Sequence, residues 1–236
     1  MPVFLLPDDE IRFPKPQLAE EDGLLAIGGD LSPTRLLTAY SLGIFPWFNE
    51  GDPILWWSLN PRLLCFPDEA VFSKSLLQKI RRKDYQIKVD TAFREVITHC
   101  ASTYRSGQEH GTWITNCVVD AYCELHELGF AHSFETYKDG KLVGGLYGVS
   151  IGAMFSGESM FHLQRDASKV AFYYLVQAAK KLDFAFIDCQ QVTDHLQTLG
   201  ARPVNRIDFL KLLDKNTKKE TIRGSWTELF VDLGIV

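Results

Sequence analysis

Several things are missing from this sequence, and each absence narrows its function. No apolar run approaches the roughly eighteen residues that a membrane-spanning helix needs, so no membrane span is expected. The five cysteines, Cys65, Cys100, Cys117, Cys123 and Cys189, are odd in number and form no Cys-x-x-Cys pair. They read as reduced thiols of a cytoplasmic protein rather than a disulfide framework. Met1 to Pro16 lacks a basic start followed by an apolar stretch, so no secretory leader is expected. There is no Gly-x-x-x-x-Gly-Lys-Ser/Thr loop and no Gly-x-Gly-x-x-Gly after a strand, the usual cradles for nucleotide phosphates. A Gly-x-Ser-x-Gly nucleophile elbow is also absent. His99, His110, His126, His132, His162 and His195 show no metal-ligand spacing with cysteines or carboxylates. The net charge of −5 argues against a protein that wraps nucleic acid, but leaves room for a small basic patch gripping one end of an RNA.

What is present fits a water-soluble chain of 236 residues, 46% hydrophobic and 23% charged, long enough to bury a core without staples. Residues 1–64 are rich in proline, glycine and aromatics and contain one clear helix. Its signals are Ser32 as N-cap, Pro33 in the first turn and Gly43 at the end, with Leu36, Leu37 and Tyr40 as its apolar stripe. From 65 to 236, strands and helices alternate. A basic helix is expected over Ser73–Lys83, a strand over Tyr85–Val89 and a helix capped by Asp90 that carries Phe93, Val96, Ile97 and Cys100. A second helix over Thr115–Leu128 stops at Gly129. Strands Ala131–Tyr137 and Lys141–Val149 should form a hairpin about Asp139-Gly140, and Gly152–Ser156 a further strand. Gly144-Gly145 inside the hairpin suggests a bulge or a close backbone approach. A long helix over Ala167–Leu182, a strand over Phe184–Cys189, and short helical segments at 194–199 and 208–213 complete the pattern. The fold class is α+β, with a mostly antiparallel sheet and one late strand returned by a helical crossover.

Three segments could carry chemistry. Aromatics crowd residues 44–57, where Pro46 and Pro53 preclude a regular helix. They either bury a domain interface or form a stacking wall for a base or an apolar side chain. Phe184–Gln190 runs from apolar residues into Asp188 and Gln190, which as i and i+2 of a strand should project to one side. Asp188 either serves that site or caps the following turn. Glu158, flanked by Met154, Phe155, Met160 and Phe161, either sits near a partly apolar pocket or lies on the surface. Lys74, Lys79, Arg81, Arg82 and Lys83 form either a solvated helix face or a phosphate contact.

Taken together, six strings in order resemble the leucyl/phenylalanyl-tRNA–protein transferase family. They are Gly23–Pro33, Gly43–Phe48, Trp56-Trp57-Ser58, Gly111–Thr115, Gly157–Phe161 and Ile187–Gln190, and they fall within residues 13–202. The resemblance implies a small N-terminal mixed domain, 1–64, and a C-terminal GNAT-like acyltransferase domain, 65–236. It implies transfer of Leu or Phe, and also Met, from the 3′ aminoacyl-adenosine end of leucyl-tRNA or phenylalanyl-tRNA to proteins or peptides with N-terminal Arg or Lys. The product is a peptide bond and a degradation signal of the N-end rule type, formed without a cofactor. By the same resemblance Asp188 and Gln190 occupy the catalytic pair's positions, and Glu158 the position near the donor's amino group. Trp47 and Trp113 stand where tryptophans hold the terminal adenosine. Leu146, Phe155, Phe172, Leu175 and Ile187 stand where the donor side-chain pocket is built. Leu146 and Leu175 stand in for other apolar residues of relatives, and the basic helix falls near the expected acceptor-stem contact.

This chemistry suits the missing motifs, because an aminoacyl ester is already activated and needs no ATP loop, metal or covalent nucleophile. The attacking α-amine has an unperturbed pKa of about 7.7–8.0, so orientation, proton removal and oxyanion stabilisation remain as the protein's work. An acetyl-CoA-dependent acetyltransferase of the same fold would need an Arg/Gln-x-x-Gly-x-Gly/Ala loop, which is missing. A non-catalytic peptide- or RNA-binding module would have no use for Asp188, Gln190 and Glu158 together.

Overall fold

The computed structural model describes residues 3–103 and 113–235, arranged around two sheets. The smaller sheet has the order β1-β2-β4-β3, with β1 (Phe4–Leu6), β2 (Leu24–Gly28), β3 (Phe45–Pro46) and β4 (Leu55–Trp57). Between β2 and β3 runs α1 (Pro33–Ser41), with Ser32 as its N-cap accepting from the Arg35 amide at 3.4 Å. Gly43 ends this turn at φ 75°, where an added Cβ would lie 2.7 Å from the Phe209 ring. The aromatic stretch is therefore a hairpin, β3 against β4, rather than an irregular loop. Sequence periodicity misses this sheet because its strands span only two to five residues.

The larger sheet contains β5 (Arg62–Cys65), β6 (Gln86–Val89), β7 (Ala131–Lys138), β8 (Lys141–Ile151), β9 (Met154–His162), β10 (Phe186–Gln190) and β11 (Arg202–Val204). Its helices are α2 (Lys74–Arg81), α3 (Phe93–Ser102), α4 (Asn116–Glu127), α5 (Ala167–Lys181), α6 (Asp194–Gln197), α7 (Arg206–Thr217) and α8 (Thr227–Asp232). The strand order is β11-β5-β10-β9-β8-β7-β6. Every pairing is antiparallel except β9 with β10, which α5 joins in parallel. This is the expected antiparallel sheet with one returned strand. β5 straddles the expected division between 64 and 65 and lies wholly in the larger sheet. The β7–β8 turn places Asp139 and Gly140 at φ 51° and 74°, the paired positive angles of a type I′ hairpin. Gly144 marks both a bulge and a close approach, since a Cβ there would lie 2.5 Å from that of Ala167.

Two local expectations change. β9 continues to His162 instead of ending at Ser156, which puts Glu158 on a strand. Asp90 does not cap α3; at φ 58° its carboxylate accepts from the Ser133 amide at 2.9 Å and the Trp226 amide at 2.8 Å. Buried Glu135 instead holds the entry to α3, accepting from the Thr91 amide at 3.2 Å and the Ala92 amide at 3.4 Å. The C-terminal segment, for which the sequence predicts no element beyond 213, inserts Trp226 into the core, where it stacks on His132 at 3.7 Å.

One hydrophobic core joins the smaller sheet to α3, α4 and β8 through Leu25, Tyr40, Trp56, Ile97, Tyr122 and Tyr147. A second lies around α5 and β10 and includes Leu146, Phe155, Phe172, Leu175 and Ile187. Among the described residues, no helix is long and apolar enough to cross a membrane. The β8–β9 pairing shifts register at Tyr147–Gly148, with Gly148 opposite Gly157. A Cβ on Gly148 would lie 2.1 Å from the Ser156 carbonyl oxygen and 2.5 Å from the Phe155 ring. Gly148→Ala should therefore destabilise the fold by about 1–3 kcal/mol, read as a lowered urea midpoint. An unchanged midpoint would show that this bulge yields freely.

Candidate active site

The β9–β10 pairing ends at Asp188 opposite Ser156. Beyond it β9 continues to His162, while β10 reaches Gln190 and bends away, with Gln190 at φ 58°. The two strands therefore part and open a crevice of about 500 Å³ between α5, β8 and the aromatic hairpin β3–β4. Glu158 and Gln190 meet across this opening, Gln190 Nε2 donating to Glu158 Oε1 at 2.7 Å.

Most of the expected site residues converge here. Leu146 from β8, Phe172 and Leu175 from α5, and Ile187 from β10 form the apolar wall. Trp47 and Trp113 line the same crevice. Trp47 leans on Trp57 with ring centroids 5.5 Å apart, and its carbonyl accepts the Trp57 indole N–H at 2.7 Å. Gly111 and Thr112, which precede Trp113 in the expected motif, lie outside the described residues.

Two expectations are corrected. Phe155 does not line the crevice; it shares the core of the wall residues, packing against Phe134 at 6.2 Å and Trp226 at 6.2 Å. Sequence strings do not separate a wall from the layer that supports it. Asp188 does not project beside Gln190 either. A bulge between the two and the positive φ of Gln190 break the strand's two-residue alternation. Asp188 is instead buried, at 1% exposure, in a two-point ion pair with Arg62. Arg62 Nε donates to Oδ1 at 2.8 Å and Nη2 to Oδ2 at 2.7 Å. Oδ1 also accepts from the Gln190 backbone amide at 2.9 Å, so Asp188 fixes the bend that aims Gln190. The Arg62 guanidinium lies over the rings of Phe45 and Phe209, 4.7 and 4.9 Å from their centroids.

Glu158 is half-buried on the crevice floor, where burial pushes its carboxyl up to about 7. The nearby charge of Asp188 raises it further, while the hydroxyls of Tyr40 and Tyr122 and the charge of Arg62 pull it down. Tyr122 donates to Oε2 at 3.2 Å and Ser156 to Oε1 at 3.4 Å. A carboxyl that changes charge near neutrality can accept a proton at the working pH. Sequence reasoning missed Arg62, Tyr122 and Ser156, and took Tyr40 for simple helix packing. Nothing local marks them, because each reaches the site from a separate element. His195 and Thr193, which had no assigned part, line the crevice too. The basic helix α2 does not; Lys79 pairs with Asp166 at 2.6 Å and Arg82 with Asp84 at 2.8 Å. Among the described residues, no group of three or more His, Cys, Asp or Glu could hold a metal ion.

Removing one partner of a buried pair leaves an uncompensated charge, at a cost of about 3–5 kcal/mol. Arg62→Ala and Asp188→Ala should each destabilise on that scale, and the double variant by clearly less than their sum, as measured by urea unfolding. Strict additivity would show that the two groups are not coupled.

Two family models match the chain, leucyl/phenylalanyl-tRNA protein transferase over residues 64–214 and that family's N-terminal domain over residues 29–60. The leucyl/phenylalanyl-tRNA–protein transferase of Maridesulfovibrio salexigens is 54% identical, covering 96% of this chain and 94% of its own. That of Chromobacterium violaceum is 56% identical, covering 89% of each. A GCN5-related N-acetyltransferase from Kribbella flavida aligns over 75% of this chain and 63% of its own at 12% identity and a TM-score of 0.36, too loosely to decide the fold, which rests on the strand order above. With near-full-length relatives at more than half identity, and a crevice that gathers most of the expected residues, this chain belongs to the leucyl/phenylalanyl-tRNA–protein transferase family.

Proposed function

We propose that the crevice receives the 3′ aminoacyl-adenosine of leucyl-tRNA or phenylalanyl-tRNA, and also of methionyl-tRNA, and joins the aminoacyl group to the N-terminal Arg or Lys of a protein. The observation that carries this reading is the contact between Glu158 and Gln190 at the mouth of an apolar wall. It puts a proton acceptor and an amide beside a space suited to a Leu or Phe side chain. Trp47 and Trp113 provide flat faces for the adenine. The acceptor's α-amine attacks the ester carbonyl carbon. A C–N bond forms, the C–O bond to the ribose breaks, and the amine proton passes through Glu158 to the departing ribose hydroxyl. Gln190 orients the amine or the carbonyl oxygen. Asp188, which is buried and does not line the crevice, is a positioning residue that acts through Gln190.

The same reading keeps a division of the chain near residue 64, in line with separate family models on either side of it. Five free cysteines suit a cytoplasmic location. The new N-terminal Leu or Phe would mark the acceptor for degradation.

Transfer of labelled Leu from its tRNA to an Arg-ended peptide tests the assignment directly, and its absence would overturn it. Glu158→Gln should slow single-turnover transfer by about 10²–10⁴-fold. Because Glu158 must be ionised to take the proton, the wild-type rate should rise with pH through about 7. The acceptor amine adds its own rise near about 7.7–8.0. An equal rate in Glu158→Gln would remove Glu158 from the proton's path. Leu146→Phe, which narrows the apolar wall, should impair Phe transfer more than Leu transfer; equal loss would count against that wall as the side-chain pocket.

A further inference from the structure

Behind Glu158, away from the crevice, stand Tyr40 of α1 and Tyr122 of α4, at 2% and 0% exposure. Their hydroxyls hydrogen-bond to each other, and Tyr122 Oη donates to Glu158 Oε2 at 3.2 Å. One polarity satisfies the chain: Tyr40 donates to Tyr122, and Tyr122 to the carboxylate. Meanwhile Glu158 Oε1 accepts from Gln190 at 2.7 Å on the crevice side. The rings pack edge to face, Tyr40 on Tyr122 with centroids 6.5 Å apart and Tyr122 on Tyr147 at 5.7 Å. Phenylalanine would fill both places with nearly the same shape, so the hydroxyls are not needed for packing. Buried hydroxyls carry a desolvation cost that only their hydrogen bonds offset.

We propose that Tyr40 and Tyr122 are positioning residues for the transfer reaction, a hydroxyl pair that keeps Glu158 charged and turned toward the crevice. This rests on the reading that Glu158 takes the amine proton. Holding Oε2 from behind leaves Oε1 as the atom presented to Gln190 and the substrate. Burial and the charge of Asp188 oppose ionisation of Glu158, whereas the two tyrosines and Arg62 favour it. The titratable groups around it are Asp188 and Cys189 from β10, Arg62 from β5, Tyr147 from β8 and His195 across the crevice. Of these, Arg62 is the fixed cation, and it is already bonded to Asp188. Burial holds His195 below the usual imidazole range and Cys189 well above the usual thiol range, so neither adds charge near neutrality. Burial and the charge of Glu158 also push both tyrosines well above the usual phenol range, so they remain donors. The smaller sheet's helix α1 is thereby part of the chemistry.

The test follows the side-chain carboxyl carbon of Glu158 by NMR in ¹³C-glutamate-labelled protein, assigned by its loss in Glu158→Gln. Single-turnover transfer is measured over the same pH range in wild type, Tyr40→Phe and Tyr122→Phe. The Glu158 midpoint should rise by about one pH unit in Tyr122→Phe and also move upward in Tyr40→Phe. Transfer should fall by about tenfold near pH 6, and the deficit should shrink as pH approaches about 8.5. A loss of rate that is equal at every pH, or a midpoint that stays in place in both variants, would overturn the proposal. Full transfer by Glu158→Gln would instead overturn the proton-acceptor reading, and the NMR midpoints would still decide whether the tyrosines hold the carboxylate.

Discussion

The ion pair between Arg62 and Asp188 is the constraint on which the site depends. Both groups are about 1% exposed, and a buried pair is worth keeping only when its remaining hydrogen-bonding capacity is used. Here it is used in directions that matter. Asp188 bonds the backbone amide of Gln190 and so fixes the bend that ends β10. Arg62 lies over Phe45 of the aromatic hairpin and Phe209 of α7, and reaches the Gly43 carbonyl at 3.4 Å. One guanidinium thus ties the smaller sheet, β5, β10 and α7 together beside the crevice. A Lys would supply the charge but not the two-point fork or the flat face that lies over the rings.

That tie divides labour between two carboxylates. Asp188 is held by a cation and spends its lone pairs on Arg62 and Gln190. Glu158 faces the crevice with neutral partners, Tyr122, Ser156 and Gln190, and burial brings its titration to about 7. Separate environments that push two acids into different roles are the usual way one site handles a proton near neutral pH. The splaying of β9 from β10 supplies the geometry, because it opens a gap at the point where the last paired residues are Ser156 and Asp188.

Much of the larger sheet was legible in the sequence. The Asp139-Gly140 hairpin, the α5 crossover and the strand running into Gln190 follow from turn chemistry and periodicity. The smaller sheet was not, because strands of two to five residues carry no period. At the site, the apolar wall and both tryptophans were legible only through resemblance, since no local pattern distinguishes a crevice wall from a core. Phe155 shows the limit of that route, being one layer removed from the wall to which it was assigned. Asp188 shows another. Strand alternation places it beside Gln190, but a bulge and a left-handed residue undo the alternation at that step. Arg62, Tyr40 and Tyr122 stay hidden because their partners Asp188, Tyr122 and Glu158 lie 126, 82 and 36 residues away along the chain.

An activated ester changes what this active site must supply. With the acyl group already primed by its bond to RNA, holding two reactants in line can itself account for about 7–11 kcal/mol of barrier. The competing reaction is hydrolysis, because a general base can take a proton from an attacking water as well as from an attacking amine. The arrangement limits this in two ways. The wall of Leu146, Phe172, Leu175 and Ile187 gives water few hydrogen-bond partners in the crevice. Glu158 Oε1 is also engaged by Gln190. On the proposed function, the anionic form of that carboxylate would also draw a cationic acceptor in preference to neutral water.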